Sequence, residues 1–126
     1  MTARMDPRHD PAVVLADHID FGHLERYTMG EPALTRELLR SFCEEARAFT
    51  LSRQEDVGTE RRALHRLKGA ARAVGAFPLA DAAEWLEKML EDEAPAEDVH
   101  DARAELTERL EALREACEAW KAAMGY

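Results

Sequence analysis

Hydrophobic positions recur at steps of three and four along most of this 126-residue chain. That spacing keeps one face of an α-helix apolar. Ile19, Phe21, Leu24 and Tyr27 predict a short helix within Asp17 to Thr28. Met29-Gly30-Glu31-Pro32 then reads as a break, and Pro32 suits the first turn of a new helix, where its missing N–H is no loss. From there Leu34, Leu38, Phe42, Cys43 and Phe49 fall near one face. A second break spans Thr50 to Gly58. Within it Ser52-Arg53-Gln54-Glu55 has the form of a capping box, and Thr59 is a rival helix start. The next helix is expected from about 59 to about 76, with Gly75 a weak point near its end. Pro78 opens another, striped by Leu79, Ala82, Ala83, Leu86 and Met89 or Leu90, and Glu93 to Pro95 breaks it. The last helix starts near Ala96. Val99, Ala102, Leu106, Leu110, Leu113, Cys117, Trp120 and Met124 give it a long core-facing seam.

No segment alternates with the period of two that marks a half-buried strand. Four substantial helices with short connections predict an all-α fold, an antiparallel four-helix bundle with a short additional N-terminal helix. Residues 1–11 are expected to be a flexible lead and residues 12–126 a single bundle domain. Composition points the same way. Aromatics are only 6%, while Ala, Leu, Glu and Arg, which lose little rotamer freedom in a helix, recur throughout. No apolar run approaches the ~18 to 20 residues that would span a bilayer. Met1 to Asp10 has no apolar core of a secretory signal. A cytoplasmic chain with no membrane contact is therefore expected. Cys43 and Cys117 lack metal-type spacing and read as two isolated, core-filling thiols in a reducing compartment.

Charge changes the picture. A net charge of -9 argues against a nucleic-acid binder. Yet residues 60–76 carry Arg61, Arg62, Arg66, Lys68 and Arg72 against Glu60 alone, one basic segment on an acidic chain. At about 100° per residue, Leu64, Leu67, Ala71 and Val74 cluster on one side of that helix as its core face. His65 lies far around the cylinder, and Arg61, Lys68, Gly69, Arg72 and Ala76 share its side.

This stripe has specific chemistry. An imidazole, with an ordinary pKa of about 6.5, offers a lone pair to phosphorus near neutral pH. Lys68, one turn on, is placed to neutralise phosphoryl oxygens. Gly69 removes a side chain that would crowd the ring, and tolerating a mid-helix glycine costs about 1 kcal/mol relative to alanine. Small residues at Ala73 and Ala76 keep the neighbouring surface low, and Arg61, Arg62 and Arg72 suit docking on an acidic partner. Glu84, Glu87 and Glu91 on the following helix are positioned to pair with those arginines. The other histidines, His9, His18, His23 and His100, lack this setting. His18 and His23, near Asp17 and Asp20, are poorly spaced for one helical face, so no metal site is expected.

The run His65-Arg66-Leu67-Lys68-Gly69-Ala70-Ala71, followed by Val74-Gly75-Ala76, resembles the signature of histidine phosphotransfer (HPt) domains. Leu24-Glu25-Arg26-Tyr27, Leu38-Leu39 and Phe42 are similar to that family's first helices, and Leu79-Ala80 and Leu86-Glu87 to its next one. The resemblance covers about residues 15 to 120. It implies a bundle whose exposed His65 exchanges a phosphoryl group with receiver-domain aspartates, with Lys68 assisting charge neutralisation and Gly69 giving access. The implied partners are receiver domains of response regulators and hybrid histidine kinases, with Mg²⁺ on the receiver and no cofactor held stably by this chain. One departure is a short stretch between Phe42 and His65 without the family's common Asp-containing turn.

No glycine-rich phosphate loop or Walker-type sequence occurs, so the chain is expected to be a monomeric phosphocarrier, not an ATP-dependent autokinase or other enzyme. The alternatives are a helical interaction module that binds a receiver or histidine kinase without being phosphorylated, and the dimerising half of a histidine kinase. Self-contained successive helices favour the carrier over the latter.

Overall fold

A computed structural model describes residues 11–49 and 56–126. Within them the chain is all helical: a 3-10 turn at Pro11–Leu15, then α1 (Phe21–Thr28), α2 (Pro32–Ala48), α3 (Val57–Val74), α4 (Phe77–Glu91) and α5 (Ala96–Met124). The Ser52–Glu55 capping box and nearly all of the expected N-terminal lead lie outside the described residues, and Pro11 opens the 3-10 turn instead of belonging to a lead.

Helix ends follow local chemistry. Asp20 caps α1 by accepting from the His23 N–H at 3.1 Å, so this helix starts later than Ile19 suggested. Pro32 takes the first turn of α2. Helix α3 starts at neither proposed cap. Asp56 caps it, accepting from the Thr59 N–H at 2.8 Å and the Thr59 hydroxyl at 3.0 Å. An Asp-containing turn before the His helix is therefore present. Those hydrogen bonds, with Thr59 the main contributor, hold the Asp56 carboxyl below its ordinary pKa. Gly75 ends α3 in the left-handed conformation, φ 84°, as a helix-terminating glycine.

Helix α3 packs on α2 and α4, and α5 packs on α4 and α2, closing a four-helix ring. Helix α1 lies across α2 and α3, and the 3-10 turn packs on α5. The core holds Leu64, Leu67, Ala71 and Val74 from α3, Leu79, Ala82, Ala83 and Leu86 from α4, and Ala102 to Trp120 along the α5 seam. On α2 the buried set is Leu39, Phe42, Cys43 and Ala46. Leu34 and, on α1, Tyr27 are exposed, contrary to the periodic reading, because each falls at the edge of its helix's apolar stripe.

Three tertiary links fix the helices that flank the His helix. The Asp20 N–H donates to the Gly75 carbonyl at 2.9 Å, tying the start of α1 to the end of α3. Arg103 of α5 pairs with the buried Glu60 in the first turn of α3, one arm at 2.9 Å. Arg114 of α5 donates to the Ala46 carbonyl at 2.9 Å and to that of Phe49, satisfying carbonyls left over at the end of α2.

The two cysteines are not isolated thiols. Both are buried, but Cys43 of α2 and Cys117 of α5 form a disulfide, with Cα atoms 5.7 Å apart. They are 74 residues apart in sequence, so only the side-by-side packing of α2 and α5 brings them together.

Candidate functional site

Leu64 and Leu67 bury one side of α3, which turns His65 outward. Its side chain is 70% exposed. The ring is nevertheless held: Nδ1 lies 3.1 Å from Glu87 Oε2 on α4. The other oxygen of the same carboxylate, Oε1, accepts from Lys68 Nζ at 2.6 Å. One carboxylate thus holds the imidazole with one oxygen and the ammonium with the other. Glu87 and Lys68 are largely covered, at 16% and 14% side-chain exposure.

Electrostatics decide the tautomer. Partial burial pushes the Glu87 carboxyl up, but hydrogen bonding and charge from Lys68, then from His65, outweigh it and leave the pKa below the ordinary value. Glu87 is therefore an ionised acceptor near neutral pH, with no proton to give. Nδ1 must carry the hydrogen, and in the neutral ring Nε2 keeps the free lone pair. The arrangement can present a nucleophilic nitrogen beside a fixed positive charge.

Gly69 is exposed, and a Cβ built there would meet nothing within 4 Å. No packing among the described residues requires a glycine at that position. Ala73 is half-buried. Ala76, expected on the open face, is instead in the core, 1% exposed. The helix ends at Val74, and Gly75 turns the chain before Ala76 is reached, so helical spacing does not extend to it.

The basic residues divide in two. Arg72 pairs with Glu84 at 2.7 Å and Arg61 lies 3.9 Å from Glu91, as the facing acidic residues suggested. Arg62 reaches the Thr59 hydroxyl at 3.2 Å. Arg66 is exposed. Gly58, Arg61, Arg62, His65, Arg66 and Glu87 line an open hollow of about 520 Å³ beside the imidazole. His23, by contrast, packs edge-on against Phe77 at 5.1 Å.

Glu87 is the functional residue that sequence spacing understated. It was grouped with Glu84 and Glu91 as a partner of arginines, but it turns to Lys68 and His65 instead. Its signal was its place in the row of α4 carboxylates with Glu84 and Glu91. That signal becomes readable only once α3 and α4 are known to be adjacent.

No curated protein matches the chain. In fold it is similar to a histidine-containing phosphotransfer protein from maize, ZmHP2, with a TM-score of 0.68 at 18% identity, over 95% of this chain and 98% of that one. The sequence profile of the Hpt domain matches residues 34–116, which include α3, α4 and the whole His65–Lys68–Glu87 cluster. The chain therefore belongs to the Hpt domain family, the phosphocarriers of phosphorelays.

Proposed function

We propose that His65 takes a phosphoryl group from the aspartyl phosphate of one receiver domain and passes it to the aspartate of another. The supporting observation is the exposed ring whose Nδ1 is tied to Glu87 next to Lys68. Nε2 attacks phosphorus, the P–N bond forms, and the P–O bond to the aspartyl carboxylate breaks, with that carboxylate leaving. The ring becomes cationic at this step, and Glu87, hydrogen-bonded to Nδ1–H, offsets that charge. Lys68 offsets charge on the phosphoryl oxygens. Gly69 leaves room for the receiver's loop to approach the ring. The reverse steps deliver the group onward.

Mg²⁺ is held by the receiver, where carboxylate oxygens suit a hard cation. The carrier works as a monomer and does not phosphorylate itself from ATP. In support of the latter, the sequence has no phosphate-binding glycine loop.

The direct test is transfer of labelled phosphate from a phosphorylated receiver domain. Wild type is expected to become labelled, and His65→Gln to remain unlabelled while keeping its helical circular dichroism. Equal labelling of the two would remove the reading.

A further inference from the structure

We infer that Arg66, supported by Arg62, is the charge that docks the receiver, through the hollow on the α3 side of His65; this rests on the carrier reading above. The inference begins from how the cations around the imidazole are used. Lys68, Arg72 and Arg61 face Glu87, Glu84 and Glu91 on α4, so their charge is largely answered within the chain. Arg62 is held by the Thr59 hydroxyl and lies near the Asp56 carboxylate, so its charge is answered in part. The exposed guanidinium of Arg66 makes no ion pair or hydrogen bond with another described residue. Both line the hollow with His65. Arg61 Nε, in the wall of the same hollow, is buried and has no hydrogen-bond partner.

The occupant follows from charge. A receiver brings an aspartyl phosphate and the carboxylates that hold its divalent cation, so the face it presents is rich in acidic oxygen. This chain is itself acidic, with a net charge of -9. Two acidic bodies meet productively only where a local cation outweighs the general repulsion, and at physiological salt only charges within about 8 Å contribute strongly. A guanidinium without a partner among the described residues, one residue from the imidazole, meets that requirement. Arg72 has to release Glu84 first. The partner's acidic rim therefore sits over Arg62 and Arg66, and the arginines paired to α4 serve chiefly to fix α4 against α3.

The test is single-turnover transfer from a phosphorylated receiver at increasing receiver concentration. Direct labelling of His65 by phosphoramidate, a small donor that needs no docking, is measured in parallel. Arg66→Glu is expected to raise the half-saturating receiver concentration about tenfold, with the maximal rate and phosphoramidate labelling retained. Arg66→Lys should recover most of the affinity, and Arg72→Glu should have a smaller effect than Arg66→Glu. An unchanged half-saturating concentration in Arg66→Glu, an equal or larger effect in Arg72→Glu, or loss of phosphoramidate labelling in Arg66→Glu would each overturn the docking assignment alone. Wild type that takes label from phosphoramidate but from no receiver would overturn the carrier reading as well, a result separable from these.

Discussion

His65 Nδ1 and Glu87 Oε2 are 3.1 Å apart, across the interface of α3 and α4, and this contact determines which ring nitrogen faces water. Without it the imidazole on an exposed helix face would rotate freely and share its proton between two nitrogens. Replacing Glu87 with Gln keeps the size of the side chain and removes its charge. Transfer is expected to slow about tenfold, since a hydrogen bond to a charged group contributes about 1.5–3 kcal/mol and part of it survives in the amide. Single-turnover transfer from a receiver measures this, and an unchanged rate would show that the ring needs no orienting partner.

The same carboxylate gives a pH signature. Glu87 ionises more readily in the folded chain than at its ordinary value of 4.5, as does Asp56 relative to 3.8. A carboxyl with a depressed native pKa stabilises the fold fully above its unfolded pKa, and that contribution is lost as pH falls through the native pKa. Stability of wild type should therefore decline as pH falls below about 5. Glu87→Gln should show a shallower fall over that range in urea midpoints. A steeper fall in the variant would reverse the sign of the argument.

Lys68→Ala removes the ammonium that faces Glu87 and that, in the proposed transfer, offsets charge on the phosphoryl oxygens. The helical fold is expected to persist with some loss of stability, because the largely covered Glu87 loses its ammonium partner. Transfer should slow about a hundredfold, the low end of the range for losing one fixed electrostatic donor to the reacting group. Rate measurements beside thermal melts check both halves, and a normal rate would make Lys68 a bystander.

Gly69 within α3 and Gly75 at its C-terminal cap should respond in opposite ways to alanine. At Gly69 an added methyl meets open space, so Gly69→Ala is expected to raise stability by up to about 1 kcal/mol while hindering receiver transfer. At Gly75, with φ 84°, a Cβ would come within 2.7 Å of the Asp20 carbonyl oxygen. Gly75→Ala should destabilise by about 1–3 kcal/mol, and its melting temperature should drop accordingly. Thermal melts of the pair test the contrast directly, and matching shifts would undo it.

Glu60 and Arg103 form the covered ion pair between α3 and α5. Removing one partner leaves the other charge poorly solvated, a loss of about 3–5 kcal/mol for buried pairs. Arg103→Ala should therefore destabilise far more than Arg109→Ala, whose partner Glu105 lies on its own exposed helix face. Chemical denaturation compares the two, and equal losses would show that burial does not matter here.

Much of this was legible in the chain. The apolar steps of α3, α4 and α5 located their core faces almost residue by residue, because periodicity reports burial wherever a helix is packed along its length. The outward turn of His65 followed from the burial of Leu64 and Leu67 by the same logic. What escaped depends on neighbours distant in sequence. Ala76 left the His face because the helix stopped at Val74, which periodicity does not foresee. Asp56 and not Thr59 caps α3, and choosing among adjacent capping residues requires backbone geometry. The grip of Glu87 on His65 and Lys68, the buried pair of Glu60 with Arg103 and the meeting of Cys43 with Cys117 all require knowing which helices lie side by side.

That last pairing sets the molecule's topology. Joining residue 43 to residue 117 makes a covalent ring, and His65, Lys68, Gly69 and Glu87 all lie inside it, while α1, most of α2 and the last turns of α5 are tails. A pull on the two ends of the chain would bypass the ring through the sulfur bridge, stretching only the tails and leaving the ring's contour length hidden. Mechanically, the carrier site is shielded from tension that enters through the termini, until a reductant opens the bridge.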